Sequence, residues 1–305
     1  MTAGSAAIVG TGLIGRSWAL VFARAGWSVK LFDPSPEAAD NAAKWIDAAL
    51  ADDVPDADRR SAVRRRIGIS PTLADAVAGA THVQENTTEA LELKRTVLAD
   101  IDRLAAPETI IASSTSALLP SAFSESLPGR ARVLVAHPVN PPHLVPLVEM
   151  LGAPWTSAEA IARATDTMTA IGQSPIRIHR EIDGFVLNRL QAALVNEAMA
   201  LVDAKVASPA DIDKCLTDGL ALRWAFIGPF ETMDLNADGG FADYARKYRS
   251  LFEIMGRTLG SSRPWSEAAM SVVSDDRRQR LPLDAIAERQ RWRDSQVRSL
   301  RKLKT

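Results

Sequence analysis

The sequence predicts an α/β domain built on a largely parallel sheet, followed by an all-helical domain. Two observations carry this. Up to about residue 180, apolar runs of strand length alternate with amphipathic helical runs, the pattern of a sheet covered by helices on both faces. After "SPIRIHR" (174–180) the β signal stops, and the chain reads as helices to its end.

Taken in order, "AAIVG" (6–10) is a buried-strand run and Leu13–Gly26 a helix. "SVKLFD" (28–33) is a second strand, and Pro36–Leu50 and Arg59–Ile67 read as helices. "THVQE" (81–85) and "TIIAS" (109–113) are further strands, with helix Glu89–Ala105 between them, and "RVLVAH" (132–137) is another. Right-handed crossovers join such strands into a parallel sheet. From Gly184 the helices are 185–206, 209–221, about 227–257, 264–274 and 284–303. Ser208-Pro209-Ala210-Asp211 is a good helix start, with proline at the first helical position. The boundary falls at "EIDG" (181–184), which gives domains 1–182 and 183–305.

A chain of 305 residues with 47% hydrophobic and 24% charged residues has an ordinary globular composition and length enough for a large core. A net charge of -1 gives no reason to expect nucleic acid or an anionic membrane as partner. Arg64-Arg65-Arg66 reads as a solvated helix face. The lone cysteine, Cys215, excludes a disulfide within the chain and fits a reducing, cytoplasmic compartment; it reads as a structural thiol. No Cys/His cluster has metal-ligand spacing, so no metal is expected. "MTAGSAAIVGTG" lacks a basic n-region and is not read as a signal peptide, and no apolar run reaches membrane-spanning length. The charged last helix is expected on the surface or against a partner subunit.

"IVGTGLIG" matches G-x-G-x-x-G through Gly10, Gly12 and Gly15, after an apolar strand and before a helix, which is the context the pattern requires. Gly10 suits the tight turn, Gly12 the approach of a pyrophosphate, and Gly15 close helix–sheet packing; Leu13 and Ile14 complete the cofactor-binding turn. The helix N-terminus turns partial positive charge toward the phosphates. Asp33, at the end of the second strand, suits the adenosine ribose hydroxyls and would repel a 2′-phosphate, so NAD is favoured over NADP. The first domain is therefore read as a Rossmann-type dinucleotide-binding domain.

In "HPVNPPHLVPLVE" (137–149), strands 132–139 and 144–150 pair antiparallel. Pro141 and Pro142 forbid a tight two-residue turn, so the connection is longer and centred near His143. That register sets His137 against Glu149. A glutamate there fixes the imidazole tautomer, and such a histidine can take a proton from an alcohol while hydride leaves for nicotinamide. A hydrogen-bonded core pair explains the hairpin equally well. "SSTS" (113–116) follows a strand end, where open α/β sheets bind ligands; helix capping is the other explanation for Ser116. Asn188, near the start of a long apolar helix, needs hydrogen-bond partners, which an interhelix bond would also supply.

These residues carry a resemblance. Through "VGTGLIGRSWALVFARAGW", "VQENTTEALELKR", "SSTSALLPS", "AHPVNPPHLVPLVE", "GFVLNRLQAALVNEAMALV" and "LRWAFIGPFETMDLN", the chain resembles the L-3-hydroxyacyl-CoA dehydrogenase superfamily, and over nearly its whole length the λ-crystallin/L-gulonate 3-dehydrogenase branch. The resemblance implies a helical C-terminal domain and a homodimer built through it. It implies that His137 is the catalytic acid/base and Glu149 its orienting partner. Ser116 and Asn188 would hydrogen-bond the reacting oxygen. Glu85 and Lys94 fall where members contact the cofactor or shape the cleft, and Asn140 near nicotinamide and substrate.

Two features bear on the substrate. Acyl-CoA members carry a lysine-rich helix pair after the second strand. Here residues 34–58 hold Lys44 alone against a run of Asp and Glu, which would repel a polyanionic CoA. Arg223, in "LALRWAFIGP", stands where CoA-type enzymes have no arginine and could bind a carboxylate bidentately, or make an ion pair. The expected activity is NAD-dependent oxidation of a small free L-3-hydroxy acid such as L-gulonate, 3-hydroxybutyrate or carnitine. Trp45, Trp155 and Trp224 could face carnitine's cation, though tryptophan more often packs. The branch has tyrosine where this chain has His143 and Trp224, which puts substrate scope in question. A 3-hydroxyacyl-CoA dehydrogenase and a non-catalytic crystallin-like protein are the alternatives; the intact His137, Glu149, Ser116 and Asn188 set argues against the latter.

Overall fold

The computed structural model describes residues 4–54, 56–260 and 264–304, with the side chain of Asp53 left out. The first three residues of the stretch read as lacking a signal peptide, and Asp53 and Pro55 of the acidic stretch, therefore lie wholly or partly outside the described residues. The chain divides into two compact units, Met1–Leu187 and Asn188–Thr305.

The first unit runs β1 (Ser5–Val9), α1 (Leu13–Arg24), β2 (Ser28–Phe32), α2 (Pro36–Asp53), α3 (Ala57–Arg64), β3 (Ile67–Ile69), α4 (Leu73–Val77), β4 (His82–Glu85), α5 (Leu91–Leu104), β5 (Ile110–Ser113), α6 (Pro120–Ser124), β6 (Val133–Pro138), β7 (Leu147–Gly152), α7 (Ala158–Ala170) and β8 (Ser174–Ile178). The described strands form one sheet in the order β3-β2-β1-β4-β5-β6-β7-β8. Pairing is parallel from β3 through β6; β6 and β7 are antiparallel, and β7 and β8 parallel. The order reverses between β1 and β4, which makes a topological switch point at their carboxyl ends.

Strand alternation sends side chains to two apolar layers. Ile8, Leu31, Leu134 and Met150 pack with Leu20 and Phe22 of α1 and Ile46 of α2 on one face. Val9, Val83, Val133 and Val135 pack with Leu98 and Ile101 of α5, Phe123 and Phe185 on the other. Helix starts follow local chemistry. Ser35, Asp56 and Thr72 accept the N–H of the third residue on to cap α2, α3 and α4, and Pro36 stands in the first turn of α2.

The expected helix Arg59–Ile67 is corrected. The helix is Ala57–Arg64, and Ile67 opens β3. The cap at Asp56 sets the start, while the three-residue strand "IGI" is too short to show alternation. Helix α4 is a further short element that the sequence reading passed over.

The second unit is helical. Its elements are α8 (Leu187–Asp203), α9 (Pro209–Lys214), a π-helical stretch Cys215–Leu220, α10 (Ala221–Trp224), α11 (Pro229–Asp234), α12 (Gly240–Gly256), α13 (Glu267–Arg280) and α14 (Ile286–Lys304). Ser208 Oγ accepts from Asp211 N at 3.2 Å, so the expected start of α9 is present. The expected single helix 227–257 is two. Gly240 has φ +66, and Asp234 Oδ1 accepts from Phe241 N at 2.7 Å, which closes one helix and opens the next. Met199, Val202 and Ala269 form this unit's buried cluster. Cys215 is an exposed free thiol. Among the described residues no helix is long and apolar enough to cross a membrane, and no His/Cys/Asp/Glu group could hold a metal ion.

Candidate active site

The glycine turn joins β1 to α1. Gly10 has φ +85, and a side chain there would meet the backbone of Asn86 at 2.9 Å. A Cβ on Gly15 would run into the carbonyl oxygen of Gly10, so the start of α1 lies against the turn. At Gly12 the same construction meets nothing within 4 Å. Two glycines are thus required by packing, while the middle one leaves open space at a helix N-terminus, where a pyrophosphate fits. Leu13 is exposed and Ile14 half-buried against the core.

Asp33 follows β2 and holds this turn. Its Oδ2 accepts from Thr11 N at 2.9 Å and Thr11 Oγ1 at 3.1 Å, and its Oδ1 from Ser35 N at 3.0 Å. A carboxylate has about four lone-pair sites, so capacity remains for a ribose hydroxyl. The residues present fit a dinucleotide.

On the other side of the switch, β6 and β7 pair in the register His137↔Glu149, across a connection spanning residues 139–146. His137 Nδ1 lies 2.7 Å from Glu149 Oε2. Both residues are buried, at 7% and 1% exposure. Glu149 Oε1 accepts from Val186 N and Leu187 N, each at 2.8 Å. These amides begin α8, so the carboxylate also caps a helix, where negative charge is favoured. Burial raises the Glu149 pKa, but hydrogen bonds from His137 and from the Leu187 and Val186 amides outweigh it and hold the carboxyl below its ordinary range. An ionised Glu149 requires a proton on His137 Nδ1. In the neutral form of the ring the lone pair is then on Nε2. Phe185 packs edge-on to the imidazole, ring centroids 5.5 Å apart, from a left-handed backbone at φ +51.

Glu85 and Lys94 are brought together, but not as open cofactor contacts. Lys94 Nζ sits 3.0 Å from each Glu85 carboxylate oxygen, and both side chains are at most 1% exposed. Ser113 Oγ and the N–H and hydroxyl of Thr87 also donate to Glu85. Glu85 was expected to contact the cofactor or to shape the cleft; its carboxylate is enclosed, and it braces the loops after β4 and β5. The sequence reading missed Glu89, whose Oε1 accepts from Ser116 N and Ala117 N at 3.1 Å each and from the Thr115 hydroxyl. Glu89 pins the Ser116 loop. An acid just after a strand end and ahead of a helix was the available signal.

Ser116 and Asn140 are exposed loop residues at the carboxyl ends of β5 and β6. Asn188 is half-buried in the first turn of α8, directly after Leu187, whose amide bonds Glu149. Arg223 and Trp224 are exposed on α10 in the second unit. His143 is buried, 3.1 Å from Ser17 Oγ and edge-on to Trp45, whose face carries the Arg16 guanidinium. That contact assigns Trp45 to packing.

A glycine turn at the switch point and a hydrogen-bonded His–Glu pair at the neighbouring strand ends define an NAD-binding α/β domain of dehydrogenase type. Residues 5–182 match the NAD binding domain of 3-hydroxyacyl-CoA dehydrogenase, and residues 184–265 its C-terminal domain. The chain belongs to the 3-hydroxyacyl-CoA dehydrogenase family. It is 42% identical over 309 residues to the lambda-crystallin homolog of Mus musculus, covering 99% of this chain and 97% of that one. It is 37% identical over 264 residues to an L-carnitine dehydrogenase of Streptomyces coelicolor, covering 86% and 80%. Among solved structures, a 5-formyl-3-hydroxy-2-methylpyridine 4-carboxylic acid 5-dehydrogenase, an NAD+ dependent dismutase, superposes with a TM-score of 0.82 at 25% identity over 99% of this chain and 98% of that one.

Proposed function

We propose that this chain oxidises the 3-hydroxyl of a small free L-3-hydroxy acid to the 3-keto acid, with His137 as acid–base. The observation that carries the reading is the His137–Glu149 contact of 2.7 Å, with the far carboxylate oxygen fixed by two amides. Such an imidazole has one orientation and one tautomer. Its Nε2 takes the hydroxyl proton, and Glu149 stabilises the imidazolium that results. NAD, when bound, supplies the hydride acceptor. Gly12 leaves room for its pyrophosphate and Asp33 holds its ribose. Ser116 and Asn188 hydrogen-bond the reacting oxygen, and Asn140 lines the nicotinamide side.

For the substrate, the acidic stretch 34–58 disfavours CoA, and the exposed Arg223 supplies a planar cation suited to a carboxylate. The likeness to an L-carnitine dehydrogenase supports a free acid as well. L-gulonate, L-3-hydroxybutyrate and L-carnitine all have the required carboxylate and 3-hydroxyl. The protein acts as a homodimer through its helical unit, whose surface carries Phe230 and Leu303 at 73% and 75% exposure and whose buried cluster is small. The single exposed Cys215 suits a reducing, cytoplasmic setting.

The test is NAD+ reduction with L-gulonate, L-3-hydroxybutyrate, L-carnitine and L-3-hydroxybutyryl-CoA side by side. Turnover of at least one free acid, with little on the CoA ester, is expected. Preference for the ester would replace the substrate reading with that of an acyl-CoA enzyme. No turnover of any would favour a crystallin-like role. Light scattering at micromolar concentration tests the dimer.

A further inference from the structure

Gln84 lies on β4, near the middle of the sheet, with no solvent exposure. A buried amide is costly unless its hydrogen bonds are made, and here they run to the segments that carry the candidate site. Nε2 donates to Ser114 Oγ at 2.8 Å and to the Ala136 carbonyl at 3.3 Å. Ser114 stands two residues before Ser116, and Ala136 one before His137. The residue that β5 sets between Gln84 and β6 in register is Ala112, small enough to let the amide pass over it.

The rest of the network has a fixed direction. Ser114 Oγ accepts from Gln84 and from Trp18 Nε1 at 3.1 Å, so its own hydrogen goes to Asn86 Oδ1 at 2.7 Å. Asn86 Nδ2 donates to the Gln84 carbonyl at 2.8 Å and the Val9 carbonyl at 3.4 Å, just before Gly10. Gln84 Oε1 faces His82 Nε2 at 2.9 Å, while His82 Nδ1 is buried without a partner. The unpartnered nitrogen is the one without hydrogen, so Nε2–H donates to Gln84. A flipped amide would set its NH2 against that N–H. Burial drives the His82 pKa down to about 4, despite the Gln84 bond that raises it, so the ring stays neutral in this tautomer.

We propose that Gln84 is a positioning residue that fixes the Ser116 loop and the His137 strand relative to each other, with His82 setting the direction of its amide and Asn86 extending the tie to the glycine turn. The inference rests on the reading of His137 as the acid–base.

The experiment uses the full chain with Gln84→Met, Ser114→Ala and the double substitution. The readouts are kcat and KM for the best free acid, Kd for NADH, and the spectrum of protein labelled with 13C at its histidine rings, of which the sequence has 4. Loss of register by a fraction of an ångström is expected to lower kcat about 10- to 100-fold. KM and Kd should change less than kcat, because neither Gln84 nor Ser114 is itself placed on the substrate carboxylate or the pyrophosphate. The double variant should be no slower than the slower single one, since both cut one network. The His137 ring signal in the NADH complex should shift in both single variants. An unchanged kcat, losses that multiply in the double variant, or KM and Kd rising in step with falling kcat would each overturn the proposal. If the wild type oxidises none of the acids, the functional reading fails by itself, and the His137 signal alone decides: a shift in both single variants upholds the positioning role, and an unmoved signal ends it.

Discussion

Glu149 meets His137 at 2.7 Å through one oxygen and caps the start of α8 through the other. One carboxylate therefore fixes both the tautomer of an imidazole and the point where the chain leaves the sheet. Glu149→Gln keeps the shape but substitutes an amide whose NH2 group would be set against either His137 or the two backbone donors. It is expected to lower kcat about 100-fold or more, as misorienting an acid–base histidine does, and to lower Tm as well. His137→Asn should lower kcat by a similar factor while leaving Tm and NADH affinity near wild type. Steady-state kinetics beside thermal melts separate the two, and equal melts would remove the capping role.

The glycines of the turn differ in what they protect. Gly15→Ala drives a methyl into the Gly10 carbonyl and should destabilise the fold. Gly12→Ala meets nothing within 4 Å, so its Tm should match wild type, while NADH binding weakens about tenfold or more. NADH fluorescence titration and a melt on each variant test this; a Gly12→Ala protein with wild-type affinity would displace the pyrophosphate from this turn.

Lys94→Met leaves the enclosed Glu85 carboxylate without its cation. Breaking a buried pair from one side costs about 3 to 5 kcal/mol, which urea unfolding would read directly. Adding Glu85→Gln should recover part of that loss. If it recovers none, the pair is not the source of the cost.

His82 gives a pH dependence whose sign can be worked out. Its pKa is lowered from 6.5 to about 4 in the folded state, by burial first. Between those values the unfolded chain binds a proton that the folded one does not. Stability is therefore full above pH 6.5, falls as pH drops toward 4, and changes no further below that. The depression corresponds to about 3 kcal/mol. His82→Leu should flatten the difference in unfolding free energy between pH 7 and pH 4.5 relative to wild type. An unchanged difference would mean that the ring is not buried as a neutral group.

How much was legible in the sequence followed from range. The glycine turn and Asp33 were readable because strand, glycines, helix and acid sit at fixed local spacings. The His137–Glu149 contact was readable because a hairpin with two prolines has few registers. Strand β3 was not, since three residues with a central glycine show no period. The burial of Glu85 was not legible because an acid at a strand end looks the same whether it faces a ligand or a lysine. Gln84 was invisible: its partners lie on other strands, and nothing near it in sequence predicts that it reaches across β5.

The Gln84 network has a further consequence for redesign. Each donor in it meets acceptors of matching sense, and the Ser114 hydroxyl has no vacancy left. Libraries that randomise position 82, 84 or 114 alone should return mostly inactive clones, because each new side chain meets neighbours still arranged for the old one. Randomised as a block, the same three positions could settle on an apolar or a reversed-polarity solution, and the active clones of such a library should fall into a few discrete triplets instead of a continuum.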